Sequence, residues 1–267
     1  MSASEIDESH AQFRGAWRLF ALGSPQGEVV ERREVFIAAG HVTWPLMNAA
    51  FLNAPVEREQ DLARSIESAA RYFAQGRHGW SFAYSEDWLS PALRPRAASL
   101  LQAHGLSPGM SIMGMAAERL QTPVRPPPPL DLLRVKDTWG YNAVADINAT
   151  CYDVPREVGR EALASPDIYG PACRAFVGCL EDKPVTTTSV LKVDDIAYVA
   201  LVATLPEHRR TGAAESVMRQ ALMAAKQDWG LERAVLHATA AGRPVYQRMG
   251  FHDVTPFQLF FSPPPGG

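Results

Sequence analysis

Cysteine is scarce in this sequence, and its pattern excludes two classes of small protein. The 267-residue chain contains three cysteines, Cys151, Cys173 and Cys179. An odd number without metal-type spacing is typical neither of a disulfide framework nor of a structural zinc site. We therefore expect reduced thiols in a cytoplasmic protein and no bound metal. A buried structural role for the thiols is favoured over a catalytic cysteine.

Long hydrophobic runs and a strong excess of charge are also lacking. No apolar run approaches the roughly 20 residues that a membrane-spanning helix needs, so we expect no membrane partner. The net charge of −3 and the pI near 6.2 argue against a general nucleic-acid-binding protein. The first eight residues are acidic and polar, unlike a secretory signal. The length suits about two domains of roughly 150 residues each.

A proline-rich segment divides the chain. Residues 123–129 contain four consecutive prolines, which fit neither a helix interior nor a central strand. A stiff linker is the simpler interpretation, and a docking segment for a partner domain is the sharper one. We predict a smaller α/β domain over residues 1–125 and a second domain over residues 126–267.

The second half predicts the order β-α-α-β-β-β-α-β-α-β. Residues 196–205 form a long apolar strand, as expected for a strand buried on both faces. Gly230 ends the longest helix as a C-cap glycine. The expected helices cover residues 139–148, 156–164, 211–229 and 243–249, and the other expected strands cover residues 174–180, 186–193, 233–237 and 251–261.

The first half repeats part of this order. Strands over residues 42–52, 80–84 and 110–115 alternate with helices over residues 57–75 and 92–104. The resulting β-α-β-α-β order is the same as that of residues 196–261. An internal duplication and the ordinary periodicity of α/β proteins explain it equally well.

The run from Leu201 to Ala214 carries the clearest chemical signal. It reads LVATLPEHRRTGAA, in which a β-branched strand ends at Pro206 and a basic, glycine-containing turn leads into a helix. The N–H groups and partial positive charge of a helix N-terminus attract anions. Gly212 and Ala214 keep the turn free of bulky side chains where a phosphate would approach. The run predicts a site for a phosphate-bearing cofactor, with an ordinary basic turn as the alternative.

Two elements of the sequence resemble the GNAT superfamily of acetyl-CoA-dependent N-acyltransferases. Arg209-x-x-Gly212-x-Ala214 is similar to the family's Arg/Gln-x-x-Gly-x-Gly/Ala element. The run Tyr246-Gln247-Arg248-Met249-Gly250-Phe251 is similar to its Tyr-x-x-x-Gly-Phe element. The resemblance covers residues 130–262. It implies an α/β (α+β) fold with a mixed, mostly antiparallel twisted sheet flanked by helices, preceded by the smaller α/β domain.

The resemblance also implies roles for individual residues. The pantetheine arm of acetyl-CoA would pair with the backbone near Val202, Ala203 and Thr204. Tyr246 would protonate the departing thiolate, a role favoured over mere packing. Thr239 stands where many members carry an asparagine, and its hydroxyl could still bond the pantetheine. The pyrophosphate would be bound by the loop residues Arg209, Arg210, Thr211, Gly212, Ala213 and Ala214.

These assignments lead to an expected function. The chain would move an acetyl group from acetyl-CoA directly to a primary amine of a small-molecule or peptide acceptor. The alternatives are a non-catalytic acyl-CoA-binding or sensor protein on the same fold, and a nucleotide-binding regulator. No general base stands out, because charged residues in turns are usually just solvated; the candidates are Asp194, Asp195, Glu207 and His208.

The first half lacks these signals, so residues 1–125 are interpreted as a degenerate GNAT-like copy or an accessory α/β domain. Residues 53–57 follow its first strand without an Arg-x-x-Gly-x-Ala element, and Leu101 stands where the tyrosine would be. We therefore expect one acetyl-CoA site in the chain. The first half would instead line one side of the acceptor site or mediate formation of a homodimer.

Overall fold

The computed structural model describes residues 3–263, so Met1 and Ser2 of the acidic start lie outside the described residues. Two compact units make up the chain. One contains the residues up to 114 and those from 254 onwards, and the other contains residues 115–253. The proline-rich segment therefore falls within the second unit. That residues 1–125 and 126–267 are separate domains stays a prediction.

The first unit is built on a sheet in the order β1-β2-β3-β4-β11-β5. β3 and β4 are parallel, whereas β1–β2, β2–β3 and β4–β11 are antiparallel. The helices are α1 (Ala3–Gly23), α2 (Glu59–Phe73) and α3 (Arg94–Ala103). The strands are β1 (Glu28–Glu31), β2 (Val35–Ala39), β3 (Asn48–Leu52), β4 (Trp80–Ser85), β5 (Ser107–Ala117) and β11 (His252–Ser262).

Helical spacing of apolar residues explains how α2 packs. Leu62, Ile66, Ala69 and Phe73 recur every three or four residues and are all buried. They join Phe82 of β4 in the core of the first unit. Burial of each large side chain stabilises the fold by about 1.5–3 kcal/mol.

The sequence-based prediction for this unit is incomplete. The order β3-α2-β4-α3-β5 matches the predicted β-α-β-α-β. The strand expected from residue 42 begins only at Asn48, because Pro45–Met47 forms a turn of 3-10 helix with proline at its start. Helix α1 and the antiparallel pair β1–β2 were not predicted. Phe13, Ala16 and Phe20 give α1 its buried face, a signal that the sequence did contain.

The second unit is built on a sheet in the order β10-β9-β8-β7-β6. All its neighbouring strands are antiparallel except β9 and β10, which are parallel. The helices are α4 (Thr138–Cys151), α5 (Arg156–Leu163), α6 (Ala213–Trp229) and α7 (Arg243–Arg248). The strands are β6 (Asp131–Arg134), β7 (Cys173–Leu180), β8 (Lys183–Val193), β9 (Ile196–Thr204) and β10 (Ala234–Thr239).

Helices cover both faces of this sheet. Thr187 of β8 is hydrogen-bonded to Asn148 of α4. The adjacent Thr186 faces the other way and lies beside Val217 of α6. Successive side chains of a strand point to opposite faces, so α4 and α6 lie on opposite sides. The mixed, mostly antiparallel sheet flanked by helices confirms the predicted fold class. Among residues 3–263, no helix combines the length and the hydrophobicity that crossing a bilayer requires.

Candidate functional site

Strands β9 and β10 separate about halfway along their length. They pair from Ala197 with Ala234 to Val199 with Leu236. β9 then continues to Thr204 and β10 to Thr239, but within the described chain no further pairs join them. The residues of β9 beyond Val199 therefore present a free backbone edge, which can hydrogen-bond an extended ligand.

A bulge in β9 accompanies this separation. Thr187 of β8 pairs with Ala203 and Ser189 pairs with Ala200, so β9 contains one extra residue in this stretch. Leu201 lies within it at φ 51°, a left-handed conformation that a leucine rarely adopts. A bulge bends its strand and increases the local twist. The bend turns the end of β9 away from the regular ladder and keeps the edge open.

Two buried polar side chains hold the bulge. Thr187 donates a hydrogen bond from Oγ1 to the Leu201 carbonyl at 2.9 Å. Asn148 donates from Nδ2 to the same Oγ1 at 3.2 Å and to the Val144 carbonyl at 2.9 Å. Asn148 and Thr187 are both fully buried. Sequence analysis missed this arrangement, and the run of hydroxyl residues 186–189 in an otherwise apolar strand was the available signal.

The residues that were predicted to bind the pantetheine lie at the end of β9. Val202 lies in the bulge beside Leu201, and Ala203 and Thr204 follow it. The Thr204 carbonyl accepts hydrogen bonds from Nε of Arg209 at 3.0 Å and from Sγ of Cys151 at 3.3 Å. The Nε donor of Arg209 thus stabilises the end of the strand, a role that sequence analysis did not predict.

The predicted anion loop joins β9 to α6. A turn of 3-10 helix, Pro206–His208, starts it, and Thr211 Oγ1 donates to the His208 carbonyl at 2.8 Å. Arg210 at φ 64° and Gly212 at φ 89° then turn the backbone through left-handed conformations. Alternating backbone conformations of this kind make N–H groups converge.

The N-terminus of α6 is left uncapped. Gly212 is the N-cap residue, and no side chain caps the helix there. The N–H of Ser216, donating to the Gly212 carbonyl at 3.0 Å, is the first to complete a helical turn. The N–H groups of Ala213 and Ala214 precede it and have no acceptor inside the helix. They are free to bind an anion with the favourable end of the helix dipole.

Tyr246 lies buried on α7. It is 8% exposed, and its ring rests on Gly242, where an added Cβ would come within 3.0 Å of the ring. Burial, and secondarily the neighbouring Tyr152, raise the pKa of the Tyr246 phenol. The phenol therefore keeps its proton at neutral pH.

Buried Tyr198 and half-buried His237 form a polar pair that joins β9 to β10. The hydroxyl of Tyr198 lies 3.0 Å from Nδ1 of His237. Burial lowers the pKa of His237 to about 3, so its ring is neutral near pH 7. The pKa of Tyr198 is raised by burial and then by Tyr152 and Tyr246, which places these phenols in one electrostatic cluster. Sequence analysis predicted neither residue, because no local sequence pattern indicates that two residues on different strands lie in contact.

The remaining predicted residues fall in three places. Thr239 ends β10, where its Oγ1 and its carbonyl accept from the Gly242 N–H at 3.3 and 3.0 Å. Glu207 and His208 lie in the anion loop. Asp194 and Asp195 lie in the turn before β9, roughly 25–30 Å along the strand from Thr204. Among residues 3–263, no group of three or more His, Cys, Asp or Glu side chains could hold a metal ion.

Comparison with known proteins points to one family. Residues 141–251 match the acetyltransferase (GNAT) family. A GCN5-related N-acetyltransferase from Kribbella flavida superposes with a TM-score of 0.69 at 20% identity, over 97% of this chain and 96% of that one. A GCN5-related N-acetyltransferase-like protein from Streptococcus suis gives a TM-score of 0.56 at 11% identity, over 94% and 97%. No curated protein matches the sequence.

A third solved structure resembles both halves of the chain. It is a tandem GNAT protein from the clavulanic acid biosynthesis pathway, with a TM-score of 0.50 at 12% identity over 98% of this chain and 97% of that one. At such identities the likeness concerns the fold alone. It is consistent with two GNAT-like halves.

Proposed function

We propose, from the match of residues 141–251 to the acetyltransferase (GNAT) family, that this chain transfers an acetyl group from acetyl-CoA directly to a primary amine. The observation that carries the proposal is the opening between β9 and β10, which leads to the uncapped start of α6. A free strand edge suits the amide-containing pantetheine arm. A bare helix N-terminus suits the pyrophosphate.

The chemistry proposed for the site follows from these placements. The acceptor amine attacks the thioester carbonyl, the tetrahedral intermediate collapses, and the C–S bond breaks to release the thiolate of coenzyme A. Tyr246 supplies the proton that the thiolate takes up, because its buried phenol is protonated at neutral pH. The amine loses its own proton to ordered water, and the water returns a proton to the Tyr246 phenolate, so the protons balance. Asp194 and Asp195 lie at the far end of β9 from this site.

The first unit supports the proposal of a single coenzyme site. β3 and β4 are parallel like β9 and β10, but the chain itself fills the space beyond their last pair. Val56 pairs with Leu89: its N–H donates to the Trp88 carbonyl at 2.7 Å, and its carbonyl accepts from the Ser90 N–H at 3.0 Å. A pantetheine arm would have to displace these bonds.

An assay for released thiol tests the proposal. Purified protein is incubated with acetyl-CoA and a panel of small amines, amino acids and peptides, and free coenzyme A is measured. Release that depends on one class of amine supports acetyl transfer. Tight acetyl-CoA binding without release for any amine would favour the non-catalytic alternative. Thermal stabilisation by ATP or NAD but not by acetyl-CoA would refute both.

Location and assembly remain proposals as well. Cys173 and Cys179 are buried, Cys151 is partly buried, and all three are free thiols, which supports a reducing, cytoplasmic environment. Localisation of the tagged protein tests this. We further propose a homodimer, for which the molecular mass in solution is the test.

A further inference from the structure

The first unit contains a cavity that the proposed acetyl transfer does not use. Its volume is about 270 Å³, just below the range typical of drug-sized ligands, so it suits a small molecule. Polar and aromatic side chains dominate its lining, among them Glu28, His41, Tyr72, Phe73, Arg77 and His78. These residues come from β1, from the loop before β3 and from the end of α2.

Three of these side chains form a hydrogen-bonded cluster. Tyr72 donates from its hydroxyl to Oε1 of Glu28 at 2.5 Å. Nε2 of His41 lies 3.2 Å from the same oxygen and 3.3 Å from the Tyr72 hydroxyl. The bond from Tyr72, and then that from His41, lower the pKa of Glu28. The carboxylate is therefore ionised at neutral pH, and its Oε2 is left for a ligand.

The cluster is held at a cost to the backbone. His41 lies at φ 52°, in the left-handed region that residues other than glycine rarely adopt. The flanking bonds hold it there: the Gly40 N–H donates to the Met47 carbonyl at 2.9 Å, and Asn48 Nδ2 donates to the Val42 carbonyl at 2.7 Å. The strained conformation directs His41 towards Glu28 and Tyr72.

Positive charge lines the same cavity. Arg77 follows the end of α2, is exposed, and forms no ion pair with any residue from 3 to 263. A guanidinium is a strong donor for a carboxylate. One cavity thus combines an ionised carboxylate and an unpaired guanidinium, with the ring of Phe73 in its wall. A ligand that carries one ammonium and one carboxylate group complements this combination.

The cavity is not the counterpart of the coenzyme site. In the second unit, the opening lies at the carboxyl end of β9 and the start of α6. Here the lining includes Asn48, the first residue of β3, Tyr72 in the last turn of α2, and Arg77 in the loop that follows α2. The cavity therefore lies at the opposite end of the strand and helix from the position that a bound coenzyme would take.

We propose that this cavity binds a free amino acid, with its ammonium group on Glu28 and its carboxylate on Arg77. Tyr72 and His41 hold the Glu28 carboxylate in place and are positioning residues. The site is independent of the acetyl-transfer site in the second unit.

Binding of L-amino acids to the full-length protein tests the proposal. Each of the common L-amino acids is examined by calorimetry and ligand-observed NMR, together with its N-acetyl derivative and its carboxamide. We expect at least one unmodified amino acid to bind and both blocked forms to bind at least about tenfold more weakly, because each lacks one charge-assisted contact.

Substitutions locate the binding. Glu28→Gln and Arg77→Gln should each weaken it at least about tenfold. Glu67→Gln and Arg71→Gln, exposed on α2 outside the cavity, are the matched controls and should leave it unchanged.

Three results would overturn the proposal. They are no binding of any amino acid up to millimolar concentrations, equal binding of the blocked derivatives, and binding that persists in both Glu28→Gln and Arg77→Gln. Arg77 is exposed, so its variant keeps the test valid if Glu28→Gln proves unstable. Coenzyme A release is measured in parallel, and its absence would count against the acetyl-transfer proposal alone.

Discussion

Thr187 Oγ1 donates a hydrogen bond to the carbonyl of Leu201 at 2.9 Å, and this bond ties β8 to the bulge that opens β9. Thr187→Val keeps the shape of the side chain but leaves the buried carbonyl and Asn148 without this partner. We expect a loss of about 1–3 kcal/mol of unfolding free energy and weaker acetyl-CoA binding. Urea denaturation and calorimetry measure the two effects.

The next residue along β8 provides the control. Thr188 is also fully buried, but its Oγ1 has no hydrogen-bond partner among the described residues. Thr188→Val removes an unsatisfied hydroxyl, so it should leave stability unchanged or raise it. Equal losses in both variants would mean that burial of valine, and not the bond to Leu201, is responsible.

The start of α6 should not tolerate a side chain in place of Gly212. Its φ of 89° is unfavourable for alanine, so Gly212→Ala should cost about 1–2 kcal/mol of stability and shift the loop N–H groups. We expect the loss of acetyl-CoA binding free energy to exceed the loss of unfolding free energy. Gly230→Ala, at φ 73° on the other end of the same helix, carries similar strain and should spare binding. Parallel titrations of the two variants decide the matter.

Tyr246→Phe tests the proposed proton donor. Removal of the hydroxyl should lower kcat on the order of 10²-fold while acetyl-CoA affinity stays nearly constant, because only the departing thiolate needs the proton. Tyr84→Phe, at a buried tyrosine of the first unit, is the control. An unchanged kcat in Tyr246→Phe would exclude the assignment.

Titration with acetyl-CoA should saturate at one molecule per chain. The counterpart opening in the first unit is filled by the pairing of Val56 with Leu89. Isothermal titration calorimetry measures the stoichiometry. A second equivalent that persists in Gly212→Ala would show that the first unit also binds the coenzyme.

The free energy of unfolding should decrease as the pH falls, and His237 should account for part of the decrease. Its pKa is about 3 in the folded chain against an ordinary 6.5, so between these values only the unfolded chain binds the proton. The contribution of neutral His237 to the free energy of unfolding is therefore complete above about pH 6.5 and is lost as the pH falls towards 3. His237→Asn should reduce the fall in unfolding free energy between neutral and mildly acidic pH. Identical pH dependence in both proteins would contradict this.

Local patterns were sufficient to predict most of the second unit. Helix α6 was expected over residues 211–229 and covers Ala213–Trp229, because its apolar spacing and the C-cap glycine Gly230 are local signals. The anion loop followed from the same stretch of sequence. Helix α1 has comparable spacing at Phe13, Ala16 and Phe20, yet it was overlooked beside its acidic, polar start.

The sequence by itself determined the order of elements from α4 to β11 and the glycine-marked start of α6, since each depends on residues close together in the chain, and the two family-like motifs implied the fold class. Only the tertiary structure decided where β9 leaves β10 and what lies beside the opening. The bulge at Leu201 depends on Thr187 and Asn148, and the Tyr198–His237 pair spans two strands. Such contacts depend on strand register, which no local pattern encodes.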